Sequence, residues 1–124
     1  MIKKITTDKA PAAIGPYSQA TVFGNVVFTS GQIPINPDTG NVDAVGISDQ
    51  TEQVMKNLGA VLSAAGSSFE KAIKTTCFLS NMSDFAQFNE VYAKYFTEKP
   101  SRSCVAVKDL PKGVLVEVEV IACI

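Results

Sequence analysis

Val114-Leu115-Val116-Glu117-Val118-Glu119-Val120-Ile121-Ala122-Cys123-Ile124 is the stretch from which the fold is read. A strand has a side-chain period of two, so Val114, Val116, Val118 and Val120 share one face. Leu115, Glu117, Glu119 and Ile121 share the other. The valine face requires a covering layer. The opposite face is too apolar to be left in water and too polar for the interior of one chain. Such a surface is usually buried against another copy of the chain. The expectation is a sheet with helices on its valine face and an oligomer contact on the other.

Working back from this strand, Asp109–Gly113 (DLPKG) reads as a turn and Ser101–Val107 as a strand entered from Pro100. Phe85, Phe88, Val91, Tyr92, Tyr95 and Phe96 mark an amphipathic helix whose aromatic stripe reads as core. Asn89 lies off that stripe. Asp84-Phe85-Ala86-Gln87 resembles a capping box at its start. Ile73–Leu79 is β-branched and alternating, hence a strand. Ile47, Val54, Met55, Leu58, Val61, Leu62 and Ala65 form a second helical stripe, with Ser48 as the expected N-cap and Gly66 as the C′ residue. Ile33–Gly46 is rich in turn pairs and reads as an ordered surface loop. Gln19–Phe23 and Val26–Ser30 flank Gly24-Asn25, a I′ or II′ hairpin signal. Pro11–Pro16 is turn-rich, and Ile2–Thr6 is a short edge strand. The order is β-β-β-α-β-α-β-β, predicting an α+β fold in which one sheet carries two helices on one face.

The chain has 124 residues, enough for a single domain spanning 1–124. Eleven basic and twelve acidic residues nearly cancel, and no basic block appears. The electrostatic footprint of a nucleic-acid binder is therefore missing. Histidine is absent, which removes the commonest general base and most zinc sites. Cys77, Cys104 and Cys123 are an odd number of cysteines with no CxxC spacing, pointing to reduced thiols in the cytoplasm. No signal peptide is readable at the start, and no apolar run is long enough to span a membrane.

Arg102 is the only arginine among these basic residues. Its planar guanidinium can grip a carboxylate or phosphate through two parallel hydrogen bonds, which lysine cannot copy. The structural alternative is an ion pair with Glu117 or Glu119. On its strand Arg102 shares a face with Cys104 and Ala106. If that face also holds Glu117, an arginine, a thiol and a carboxylate would converge at a subunit boundary. Cys104 has no histidine to activate it, so a packed or site-lining thiol is favoured over a nucleophile.

Five motifs in order carry a resemblance: Gly15-Pro16-Tyr17-Ser18, Ser30-Gly31-Gln32-Ile33-Pro34, Asn89-Glu90-Val91-Tyr92, Pro100-Ser101-Arg102-Ser103-Cys104-Val105 and Val116–Ala122. Together they resemble the RidA (YjgF) family of reactive-intermediate deaminases nearly end to end. Two departures stand out. Ser101 replaces the family's usual alanine, and the segment between Asn89 and Arg102 is slightly short, which bears on substrate size rather than on reaction type.

The resemblance implies a chorismate-mutase-like homotrimer whose sheets form a central barrel, with sites in the clefts between subunits. It implies hydrolysis of 2-imino or enamine acids, such as 2-iminobutanoate and 2-iminopropanoate, to 2-oxo acids and ammonia, with no cofactor or metal. It assigns carboxylate binding to Arg102, water and imine positioning to backbone groups of Gly31 and Cys104, and proton relay to Glu117. Tyr17 and Ser30 would line the pocket and Asn89 would support its wall. Packing roles for Tyr17, Ser30, Asn89 and Glu117 remain the structural alternatives. A non-catalytic trimeric binder or sensor of small carboxylates, a ribonuclease, and a structural trimer without ligand are the competing functions.

Overall fold

In the computed structural model, which describes Met1–Ile124, the valine alternation runs through the centre of one six-stranded sheet. The strands are β1 (Lys3–Ile5), β2 (Ala20–Phe23), β3 (Val26–Thr29), β4 (Ala72–Leu79), β5 (Ser101–Ala106) and β6 (Val116–Cys123). Their spatial order is β1-β2-β3-β6-β4-β5. All pairs are antiparallel except β4 with β5. That exception follows from the helix between them, because parallel neighbours need a crossover connection. The helices are α1 (Ile47–Ala64) and α2 (Phe85–Tyr95).

Val116, Val118 and Val120 are fully buried beneath the helices, whereas Glu117, Glu119 and Ile121 are only partly covered. Val54, Met55, Leu58, Val61 and Leu62 of α1 and Phe88, Val91 and Tyr92 of α2 complete this core. The aromatic stripe is core as expected, with Tyr92 stacked on Phe96 at 4.6 Å between ring centroids. The open face carries Phe28, Phe78, Val105 and Ile121 around the two glutamates. Val105 and Phe28 remain 46% and 43% exposed there.

Several boundaries differ from the sequence reading. Val114 and Leu115 precede β6, because the Leu115 N–H is taken by the Gln50 side chain of α1 at 2.8 Å. Ser48 is not the N-cap of α1. The helix begins at buried Ile47, and Gly46 caps it at φ 83°, a conformation glycine adopts without a Cβ clash. The capping box at Asp84 does not form either. A 3₁₀ turn over Met82–Asp84 leads into α2, so Asp84 already has helical backbone and cannot aim its carboxylate as an N-cap. Asn81 caps the turn instead, accepting from Ser83 N–H at 2.9 Å. The end of α1 is as expected. Gly66 donates to Ser63 O and Ser67 to Leu62 O, the paired bonds of a Schellman motif. Gly24 has positive φ and Asn25 does not, which selects the II′ alternative for the hairpin.

One irregularity positions the candidate site. The β3–β6 ladder pairs Phe28 with Ile121, and Gln32 next pairs with Val118. Thr29, Ser30 and Gly31 therefore oppose only Glu119 and Val120, a bulge of one residue. Its lost ladder bond is supplied by Thr29 Oγ1, which accepts from Val120 N–H at 3.0 Å. Ser30 N–H turns to Gln19 O at 2.9 Å, and Gly31 is brought over Glu117. Thr29→Val keeps the shape and removes that acceptor, leaving a buried N–H unpaired. We expect a loss of about 1–3 kcal/mol in urea unfolding. A change within about 0.5 kcal/mol of zero would show that the bulge does not depend on this bond.

Candidate functional site

Arg102 is the second residue of β5, two after Pro100, and strand register decides where its side chain goes. It pairs with Thr75 of β4, which pairs in turn with Val120 of β6. Arg102 therefore lies on the valine face, at the sheet edge beside α2. There its Nη1 donates to Asn89 Oδ1 at 2.7 Å. Its guanidinium carbon sits 4.8 Å from the centroid of Tyr92 and 5.4 Å from that of Phe85. The Tyr92 hydroxyl is in turn hydrogen-bonded to Thr75 Oγ1 at 2.8 Å, in the buried floor of the sheet. Asn89 and Tyr92 are three residues apart on α2, hence neighbours on its surface. Burial raises the Tyr92 phenol further above its already high ordinary value, against the smaller opposing effect of the Thr75 bond, so it stays neutral.

Arg102 has no carboxylate partner in the chain. The salt bridge present joins Lys94 to Glu52 at 3.1 Å, so the ion-pair alternative with Glu117 or Glu119 is not realised in the chain. One guanidinium N–H goes to a neutral amide and the others make no hydrogen bond in the chain. The arginine opens onto a cleft of about 480 Å³ between the end of α2 and the start of β5.

The second group of predicted residues lies elsewhere. Glu117 pairs with Phe78, which pairs with Val105. Its side chain thus points to the open face, opposite to Arg102, and its strand is two spacings from β5, about 10 Å. The condition that Arg102 and Glu117 share a face is not met, because their pairings differ by an odd number of residues. Glu117 instead reaches Gly31, where a Cβ would overlap its carboxylate. Gly31 is needed here for space, not for positive φ. Burial raises the Glu117 pKa first, and the neighbouring Glu119 charge adds to the effect. Ser30 Oγ donates to Ser18 O at 2.6 Å, tying the bulge to the Tyr17-Ser18 turn, where Tyr17 is half exposed. The chain thus holds two separate groups, Arg102 with Asn89, and Glu117 with Gly31, Ser30 and the adjoining Tyr17 turn.

Cys104 accompanies Arg102 on the valine face, opposite Cys77. Burial raises its pKa, and the nearby Arg102 charge offsets only part of this, so the thiol is not activated. Cys77 is pushed up to about 12 by burial. Ser101 has a structural role. The β4–β6 register slips at Ile73, and Ser101 Oγ donates to the Ile73 carbonyl at 2.9 Å, pinning the start of β5 beside Arg102. Sequence reasoning missed Tyr92 and Thr75 as supports of the arginine. The i,i+3 spacing of Asn89 and Tyr92 was a usable signal, whereas the pairing of Thr75 with Arg102 depends on sheet register.

Fold and site together define an α+β protein that presents an unpaired arginine at a sheet-edge cleft and a half-buried glutamate on the opposite face. The family model described as endoribonuclease L-PSP matches residues 7–124. The chain belongs to this family, which is the RidA (YjgF) family. It is 54% identical over 123 residues to the RutC family protein PH0854 of Pyrococcus horikoshii, covering 98% of each chain. It is 48% identical over 126 residues to the 2-iminobutanoate/2-iminopropanoate deaminase of Escherichia coli, again covering 98% of each. The crystal structure of E. coli TdcF with bound serine superposes with a TM-score of 0.93 at 46% identity, over 98% of both chains. These names span different activities, so family membership alone does not fix the reaction. No helix is long and apolar enough to cross a membrane.

The raised Glu117 pKa has a consequence for stability. Folding disfavours its ionised form, so its contribution is full below the ordinary carboxylate range and is lost as pH rises through the folded value. The melting temperature of Glu117→Gln relative to the unsubstituted protein is therefore expected to climb as pH rises above the ordinary carboxylate range, about pH 4. A flat difference would mean that burial does not penalise this carboxylate.

Proposed function

We propose that the protein hydrolyses small 2-imino acids to 2-oxo acids and ammonia in a site completed by a second copy of the chain. The observation that carries this reading is the unpaired Arg102 fork, held in plane by Asn89 and Tyr92. A substrate of this class offers a planar carboxylate, which two parallel N–H···O bonds recognise. The protonated imine carbon is already electrophilic, so orientation and a held water matter more than a strong base. That suits a chain without histidine.

In the proposed reaction the carboxylate sits on Arg102 and water attacks the C=N carbon. Glu117, with its pKa raised, takes the water proton as the carbinolamine forms. It returns that proton to the nitrogen, then accepts the carbinolamine hydroxyl proton as the C=O forms and the C–N bond breaks, and passes it to the departing ammonia. A protonated imine and one water thus give a 2-oxo acid and ammonium. Backbone groups of Gly31 and Cys104 position water and imine, Tyr17 and Ser30 line the pocket, and Asn89 holds the arginine.

Since one subunit keeps Arg102 and Glu117 on opposite faces, the reading requires a neighbour. The open face with Phe28, Phe78, Val105 and Ile121 supports one, and we assign it to the barrel contact of a homotrimer. The E. coli relative's deaminase name supports the chemistry, and the serine bound to TdcF shows a small amino acid held by a relative of this fold. Three free thiols fit a cytoplasmic setting. The endoribonuclease description of the family model finds no support in the near-neutral charge of this chain.

The test generates 2-iminobutanoate in situ with a dehydratase and follows 2-oxobutanoate release. Acceleration over the spontaneous rate is expected. Arg102→Lys should lose about 10²–10³-fold in kcat/KM. Binding of 2-oxo acids with no acceleration would replace the enzyme reading with that of a carboxylate sensor. Cys104→Ala keeps the main chain and should retain activity, whereas abolition would point to a thiol nucleophile.

A further inference from the structure

The cleft beside Arg102 carries a second cation. Its polar lining consists of Arg102, Lys99, Asn89 and Thr97, against walls that include Tyr92 and Phe96. No carboxylate lines it, although acidic residues outnumber basic ones in the chain. Lys99 makes no ion pair, and the Asn89 amide nitrogen makes no hydrogen bond in the chain.

The backbone at Lys99 is unusual. The residue before a proline is pushed toward extended conformation, yet Lys99 has φ 53°, in the left-handed region. Its N–H donates to Phe96 O at 3.2 Å, closing the chain tightly at the end of α2. A lysine thus occupies a position suited to glycine or asparagine, and it flanks the one cleft that Arg102 opens onto.

We infer that this cleft binds a ligand with two acid groups, one on Arg102 and the other on Lys99. The ligand class is a 2-oxo or 2-imino acid carrying a second carboxylate. This rests on the reading of Arg102 as the anchor of the first carboxylate. The volume of about 480 Å³ is at the small end of ligand pockets and suits a short-chain diacid. The other use of a cation here is to complement the negative end of α2. That role would register in stability and not in the choice between ligands of one and two charges.

Calorimetric titrations with 2-oxobutanoate (one carboxylate) and 2-oxoglutarate (two) separate these possibilities. The full-length protein should bind 2-oxoglutarate roughly threefold to tenfold more tightly than 2-oxobutanoate at low ionic strength. Added salt should reduce that preference. Lys99→Asn tolerates positive φ and removes the charge. It should abolish the preference while leaving 2-oxobutanoate affinity in place, and Lys99→Arg should keep the preference. Equal binding of both acids by the unsubstituted protein, or a preference that survives Lys99→Asn, would overturn the inference and leave Arg102 as a carboxylate anchor. A lower melting temperature for Lys99→Asn with no loss of preference would assign Lys99 to the end of α2. Failure of both acids to bind would remove the anchor reading and this inference with it.

Discussion

Val116, Val118 and Val120 are closed off from water on one side of β6, while Glu117 and Glu119 lie between them on the other. Burying such valines is favourable by about 1.5–3 kcal/mol each, so a one-residue slip of this strand would exchange a buried apolar stripe for two carboxylates. Register is thereby locked through the sheet. It passes from β6 to β4 through Val120 and Thr75, and from β4 to β5 through Thr75 and Arg102. The same locking places Glu117 on the opposite face. The parity of a hydrophobic pattern thus determines which chemical groups the chain can bring together on one face.

The arginine is held without being neutralised. A neutral amide and two aromatic rings, one of them tied to the sheet through its hydroxyl, restrain it, and none of these uses up its charge. An exposed cation–π contact contributes about 0.5–1 kcal/mol, enough to bias the side-chain orientation. A structural ion pair would have occupied the carboxylate-binding edge of the guanidinium. Ser101 adds a restraint from behind by bonding the carbonyl at the slipped register of β4. Arginine orientation therefore depends on α2, β4 and β5 at once. The bulge at Thr29–Gly31 does comparable work on the opposite face, since it sets a residue without a Cβ against the Glu117 side chain.

Much of the fold was legible because its periodicities are strong. Alternation in β4 and β6, the stripes of α1 and α2, and the glycines at Gly24 and Gly66 correctly indicated the elements and their order. Helix starts were less legible. Ser48 and Asp84 have the side chains of caps, but burial of Ile47 and the 3₁₀ turn before α2 moved the backbone frame by one or more residues. In the site, Arg102 and Gly31 stood out by residue type. Tyr92 was legible as core but not as the platform for the arginine, and Thr75 had no signal at all.

The sequence by itself determined the element order, the two-faced central strand and the uniqueness of one arginine, because these depend on residue identity and local period. Only the tertiary structure decided that Arg102 and Glu117 face opposite ways, that Asn89 and Tyr92 frame the guanidinium, and that Glu117 lies against Gly31. Those facts depend on register between strands distant in sequence and on one inserted residue at a bulge. Register is set by the summed burial of many side chains across the sheet, and no local stretch carries that sum.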